Sequence, residues 1–283
     1  MSNAASDPQQ HLIETQHGHL TVLTMNRPQA LNAFSPSMMA GFNEALPRLA
    51  NDPDCRTLML TGVGRAFSAG GDVKGFASNA ESSDGERNSP SKHTQAPNEA
   101  ERAAGLRQST EIVELLHTMP KPTIAAIPGV AAGGGFSVAL ACDVRIASSD
   151  ARFTTAFNKL GLSGDYGGTY FLTQLVGTAK ARELYLTSDI IDVEEAHRIG
   201  IVNQVFEKDS FADEALAFAK KLAAMPPISS RLMKQNLNSA LTLDLAGVLD
   251  IEATNMITCF DSNDHKAGAL AFVTKKPAVF TGT

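Results

Sequence analysis

The chain has no tryptophan and only three tyrosines among its 283 residues. Base-stacking platforms for single-stranded nucleic acid therefore have little to build on. A net charge of −6 further opposes a nucleic-acid surface as the main business. No apolar run approaches membrane-spanning length, and the opening MSNAASDPQQ is polar rather than signal-like. The cysteines are few, odd in number and far apart (Cys55, Cys142, Cys259), which excludes a disulfide framework and fits a reducing, cytoplasmic setting. The seven histidines show no paired metal spacing, and His17 and His19 flank a glycine as hairpin-turn residues do. No metal is expected. What is present is ordinary for a globular protein: 43% apolar and 19% charged, enough for one large domain with an appended part.

The stretch Thr123 to Ala141, TIAAIPGVAAGGGFSVALA, organises the rest. Thr123–Ile127 has the β-branched, apolar character of a buried strand, and Pro128-Gly129 ends it. Gly133, Gly134 and Gly135 then open a buried helix. A strand, a glycine turn and a helix start leave backbone N–H groups unpaired, where negative charge is welcome. Two readings stay open at this point: a tight turn serving helix–strand packing, or an anion or oxyanion site. Gly133-x-Gly135-x-x-Val138 lacks the third glycine of a dinucleotide fingerprint, and no phosphate-loop lysine follows.

Elsewhere, alternation predicts strands over His19–Asn26, Thr57–Thr61, Asp143–Ala147 and Arg152–Thr155. Helical spacing runs through Ala33–Leu49, Glu101–Thr118, Ala179–Thr187, Asp192–Ile199, Ser210–Ala224 and from Ser229 onward. Residues 75–105 are polar and bare of large apolar groups, which suggests a mobile loop or lid. The expected fold class is α/β, with a flexible N-terminus over 1–18, a core over 19–205 and a helical C-terminal region over 206–283. No internal repeat is apparent. A second glycine-rich turn, Arg65–Lys74 (RAFSAGGDVK), follows a predicted strand as the first does. Two such turns converging on one oxygen would make an oxyanion hole.

With that, the chain resembles the enoyl-CoA hydratase/isomerase (crotonase) family from about His19 to the C-terminus. The matching residues are Asn26-Arg27-Pro28 with Ala30-Leu31-Asn32, Ala66-Phe67-Ser68-Ala69-Gly70-Gly71-Asp72, and Lys121-Pro122 through Ala131-Ala132-Gly133-Gly134-Gly135 to Cys142-Asp143. Further matches are Gly167-Gly168-Thr169, Ala196, Gly200, Val202-Asn203 and the tail from Phe272 to Pro277. The resemblance implies a crotonase-like spiral of ββα turns, a C-terminal helical trimerisation region, and a homotrimer or dimer of trimers. It also implies an acyl-coenzyme A thioester substrate, with coenzyme A as part of the substrate and no separate cofactor. By motif, the oxyanion donors fall on the N–H groups of Gly71 and Gly134, and coenzyme A contacts fall on Ala30, Gly71, Asp72, Val73 and Lys74. Phe272 and Lys275 match C-terminal residues that reach a neighbouring subunit's ligand; a helix with one buried face is the competing reading for both.

The departures carry the functional argument. Where hydratases of the family place two glutamates, this chain has Ser137 and Phe157, and neither replaces a carboxylate in proton transfer. Gly161-Leu162-Ser163-Gly164-Asp165-Tyr166-Gly167-Gly168-Thr169 resembles the isomerase pattern G-L-x-P-D-x-G-G-T, with Gly164 in place of the proline. There the aspartate is the single acid–base group. Taken alone, Asp165 reads sooner as the cap of a helix beginning near Thr169. Position in the motif favours the base, with Phe157 raising its pKa by desolvation. The expected activity is a 3-enoyl to 2-enoyl isomerisation using Asp165. The alternatives are a hydratase with a non-standard acid–base set, and a non-catalytic acyl-CoA binder. A dehalogenase-like use of the aspartate needs a histidine that His117 does not match in position, and RNA binding is opposed by the acidic balance.

Overall fold

The computed structural model describes residues 10–71 and 98–283. The chain opens with a hairpin: β1 (Leu12–His17) pairs antiparallel with β2 (Leu20–Met25), and Gly18 turns between them at φ +63°. Residues 12–17, expected in a flexible N-terminus, are thus a strand. Only Leu12 of β1 is buried, because β1 is the edge strand of its sheet and most of its side chains face solvent. After a short 3₁₀ turn at Pro28–Ala30 comes α1 (Pro36–Asn51), later than Ala33. Pro36 suits the first helical position, and Ser35 caps the helix by accepting the Met38 N–H.

Three turns of one pattern follow. In the first, β3 (Thr57–Gly62) and β4 (Ala66–Ser68) precede two short helices, α2 (Glu99–Ser109) and α3 (Glu111–Thr118), separated at Thr110. The second has β5 (Thr123–Ile127), β6 (Val130–Ala132) and α4 (Gly133–Ala141); the third has β7 (Val144–Ser148), β8 (Arg152–Thr154) and α5 (Gly168–Thr187). The first strand of each turn joins one sheet (β3, β5, β7 in parallel) and the second joins another (β4, β6, β8 in parallel). This is the ββα spiral. Much of the 75–105 segment lies outside the described residues; from Glu99 it is helical, with Asn98 and Glu101 forming a capping box.

Then β9 (Ile191–Asp192), α6 (Val193–Arg198) and β10 (Gln204–Phe206) complete the two sheets, ordered β1-β2-β3-β5-β7-β10 and β4-β6-β8-β9. Asp192 caps α6 through the Glu195 N–H, and Gly200 at φ +85° follows it. β5 is buried on both faces: Ile124 and Ala126 pack beneath α7 (Phe211–Ala223), while Ala125 and Ile127 join the main core. That explains its unbroken apolar run. Beyond Pro226-Pro227 the chain forms α8 (Pro227–Ser239), α9 (Leu245–Asp261) and α10 (Asn263–Thr274). The last nine residues are not helical: Asp264 accepts the Thr281 and Gly282 N–H groups, and Arg56 donates to Phe280 O. None of the helices among the described residues is long and apolar enough to cross a membrane.

Candidate active site

The first glycine turn is fixed by the chain segment before α1. Buried Asn32 donates to Val63 O at 3.0 Å and Ala66 O at 2.7 Å, and accepts the Arg27 N–H at 2.8 Å. Ala69 N donates to Leu31 O, and Phe34 N donates to Gly70 O at 2.7 Å. A trans peptide points its C=O and N–H in opposite directions. With Gly70 O held by Phe34, the Gly71 N–H of the same peptide unit is turned away, at an exposed residue.

The second turn supplies its donor from the start of α4. The first N–H groups of a helix have no intrahelical acceptor, and Ala132 at the N-cap offers no side-chain acceptor. The two turns meet. A methyl group added at Gly70, which sits at φ +77°, would lie 2.6 Å from Gly134 N and 3.0 Å from Gly135 N. The Gly70–Gly71 turn and the Gly134 N–H therefore share one corner.

Around Gly134 the nearest groups are Tyr166 Cδ2, Phe34 Cε2 and Asp165 Oδ1, at 3.1, 3.3 and 3.4 Å from the place a Cβ would take. Asp165 does not cap α5. The N-cap is Gly167, with no side-chain hydrogen bond, and Gly168 N donates to the backbone carbonyl of Asp165. Asp165 Oδ1 is buried with no hydrogen-bond partner, and burial pushes the carboxyl's pKa up. One oxygen of a half-buried carboxyl thus lies buried and unpaired beside the start of α4.

Ser137 is buried in α4, its hydroxyl weakly donating to Gly133 O at 3.4 Å and meeting the Tyr185 hydroxyl. Phe157 is buried and stacked on Tyr185. Ala30 is half-buried in the turn tied to the first donor. Asp72, Val73 and Lys74 lie outside the described residues. Phe272 is 88% exposed and Lys275 follows α10 in a left-handed conformation; neither is among the contacts at Gly134 or Asp165. His117 packs edge-on against Phe171 and Tyr170, and burial pushes its pKa down. Phe34, Tyr166 and Tyr185 are neighbours of the site that pattern reading gave no role. For the two tyrosines the one sequence signal is that all three tyrosines of the chain, at 166, 170 and 185, follow Asp165 within twenty residues.

The ββα spiral thus brings the Gly70 turn, the Gly134 N–H and the Asp165 carboxyl together. The chain belongs to the enoyl-CoA hydratase/isomerase family, whose model matches residues 15–283. It is 37% identical over 276 residues to the 1,2-epoxyphenylacetyl-CoA isomerase of Escherichia coli, covering 96% of this chain and 98% of that one. It is 33% identical over 272 residues to the crotonyl-CoA hydratase of Syntrophomonas wolfei, covering 96% and 98%. Among solved structures, the enoyl-CoA hydratase of Bacillus anthracis superposes with a TM-score of 0.86 at 28% identity, over 97% of this chain and all of that one. Fold and family thus agree with the motifs.

Proposed function

We propose that the protein is an enoyl-CoA isomerase that shifts a 3-enoyl thioester to the conjugated 2-enoyl thioester, with Asp165 as its acid–base group. The thioester oxygen accepts hydrogen bonds from Gly71 and Gly134. Asp165 takes the proton from carbon 2, and the C–H electron pair moves into a dienolate whose oxyanion stays on the two donors. The same carboxyl returns the proton at carbon 4, so no atom is gained or lost. One carboxylate suffices for a proton shift, whereas adding water takes one group to activate the water and another to supply the proton. The observation that carries this reading is Asp165 Oδ1, buried, unpaired and adjoining Gly134, with Ser137 and Phe157 supplying no second carboxylate. In the same reading Ala30 and Asp72 to Lys74 bind coenzyme A, no cofactor is needed, and the enzyme works in the cytoplasm.

A second reading has its own support. The rings of Phe34 and Tyr166 beside Gly134 favour an aromatic or ring-derived acyl group. The Escherichia coli relative is named for isomerising such a thioester.

The helices α9 and α10 leave Leu245, Leu249, Met256, Ile257, Phe260, Leu270, Phe272 and Val273 half or more exposed. So large an apolar surface is the mark of an interface. It fits self-association into a homotrimer or a dimer of trimers, in which Phe272 and Lys275 reach a neighbour's ligand.

Asp165→Asn decides the chemistry. With 3-hexenoyl-CoA the variant is expected to lose at least about 10²-fold in kcat; wild-type turnover would refute the assignment. Faster hydration of crotonyl-CoA than isomerisation of any 3-enoyl or ring-bearing thioester by the wild-type enzyme would favour a hydratase.

A further inference from the structure

We propose that Tyr185 is a positioning residue that aims Asp165 by clamping the backbone on both sides of it. The proposal rests on the reading of Asp165 as the acid–base group. Because Asp165 Oδ1 makes no hydrogen bond, the carboxylate takes its direction from the chain beneath it. That chain is unusual: φ is +103° at Gly164, +52° at Tyr166 and +68° at Gly167. Glycine takes such angles freely, but a positive φ at bulky Tyr166 persists only where the surroundings hold it.

Tyr185 reaches this turn from the far half of α5, beyond the non-helical break at Gly177. On the near side of Asp165, the place of a Cβ on Gly164 lies 3.0 Å from Tyr185 Cε1 and 3.4 Å from Phe157 Cδ2. On the far side, the place of a Cβ on Gly168 lies 2.3 Å from both the Tyr185 hydroxyl oxygen and Ser137 Oγ. One side chain therefore touches the chain directly before and shortly after the carboxylate. The clamp is itself braced: the Tyr185 ring lies parallel to Phe157, 9° between planes and 6.1 Å between centroids. Its hydroxyl meets that of Ser137. Burial pushes the Tyr185 pKa up to about 12, so the phenol stays protonated at working pH and acts by packing and as a donor. The two positions where hydratases of this family carry glutamate thus hold the braces of the clamp.

The test uses the full-length enzyme with 3-hexenoyl-CoA and compares Tyr185→Leu, Tyr185→Phe and Asp165→Asn. Misplacing a reacting group by an ångström costs about 10²-fold. Tyr185→Leu is expected to lose kcat on that scale with KM little changed. Its acid limb should also move to lower pH, because water admitted beside Asp165 lowers the raised pKa; among the described residues, Tyr166 also faces that carboxylate. Tyr185→Phe keeps the ring against Gly164 and Phe157 but loses the hydroxyl at Gly168 and Ser137, so it is expected to lose part of kcat, clearly less than Tyr185→Leu. If Tyr185→Leu does not fold, Tyr185→Met, which fills irregular space with a flexible chain, replaces it. An unchanged kcat and pH profile in the leucine or methionine variant, with Asp165→Asn inactive, overturns the proposal alone. Equal damage from phenylalanine and leucine also overturns it. An active Asp165→Asn overturns the assignment of Asp165, and the clamp's catalytic role falls with it.

Discussion

Gly70→Ala is the sharpest probe of the oxyanion corner. The added methyl would lie 2.6 Å from Gly134 N, 2.9 Å from Ala132 O and 3.0 Å from Gly135 N. All three are backbone atoms at the start of the buried α4, so none moves cheaply. A thioester oxygen must sit about 2.7–3.1 Å from its donor, which is the space the methyl takes. Loss of one such donor costs about 2.7–4 kcal/mol, or 10²–10³ in kcat. The substitution also places alanine at φ +77°, at a cost of about 1–2 kcal/mol in stability. Gly18→Ala separates the two effects: φ there is +63°, and nothing lies within 4 Å of the new methyl. Gly18→Ala should lose a few degrees in Tm; Gly70→Ala should lose more, because its methyl also overlaps backbone that cannot shift cheaply. Only Gly70→Ala should lose isomerase turnover, followed by the ultraviolet absorbance of the conjugated product. A folded Gly70→Ala enzyme within about tenfold of wild-type kcat would refute Gly134 as a donor, since losing a donor takes at least 10²-fold.

Asp165→Asn should raise Tm at neutral pH while abolishing turnover. A carboxyl whose folded pKa is raised by burial favours the folded state at low pH and loses that advantage as pH rises through its folded pKa. The gain in Tm should therefore vanish below the ordinary carboxylate range; a Tm difference independent of pH would contradict it. Wild-type kcat should fall as the pH drops through the same raised pKa. Asn32→Ala removes three hydrogen bonds from a buried side chain at φ +55° and should cost about 2–4 kcal/mol in urea unfolding. Ile257→Lys, on the exposed apolar face of α9, should shift the sedimentation coefficient toward that of a monomer; an unchanged assembly would place the interface elsewhere.

Much of the fold was legible because its signals are local. β5 needs apolar residues on both faces and the turns need Gly70 and Gly133 at positive φ, whereas the start of α1, read at Ala33, falls at Pro36, where Ser35 caps it. The edge strand β1 was missed because an edge position needs little apolar alternation: only Leu12 is buried. The threefold ββα pattern entered only through the family resemblance and not as an internal repeat, because its turns share geometry rather than residues.

The sequence by itself determined the inventory: two glycine turns after strands, an aspartate after Gly164, and Ser137 and Phe157 in place of carboxylates. These are properties of single positions, dictated by backbone conformation and by which groups carry protons. How they combine came from the packing of the chain. Gly70 and Gly134 are far apart in the chain, and parallel stacking of β4 on β6 brings them to one corner. Taken alone, Asp165 read as a helix cap, until the fold left its Oδ1 buried, unpaired and beside Gly134. Tyr185 gained its place only through the break at Gly177, which no local pattern ties to a residue twenty positions upstream. Contact between distant segments follows from how sheets and helices pack, and packing is a property of the whole chain.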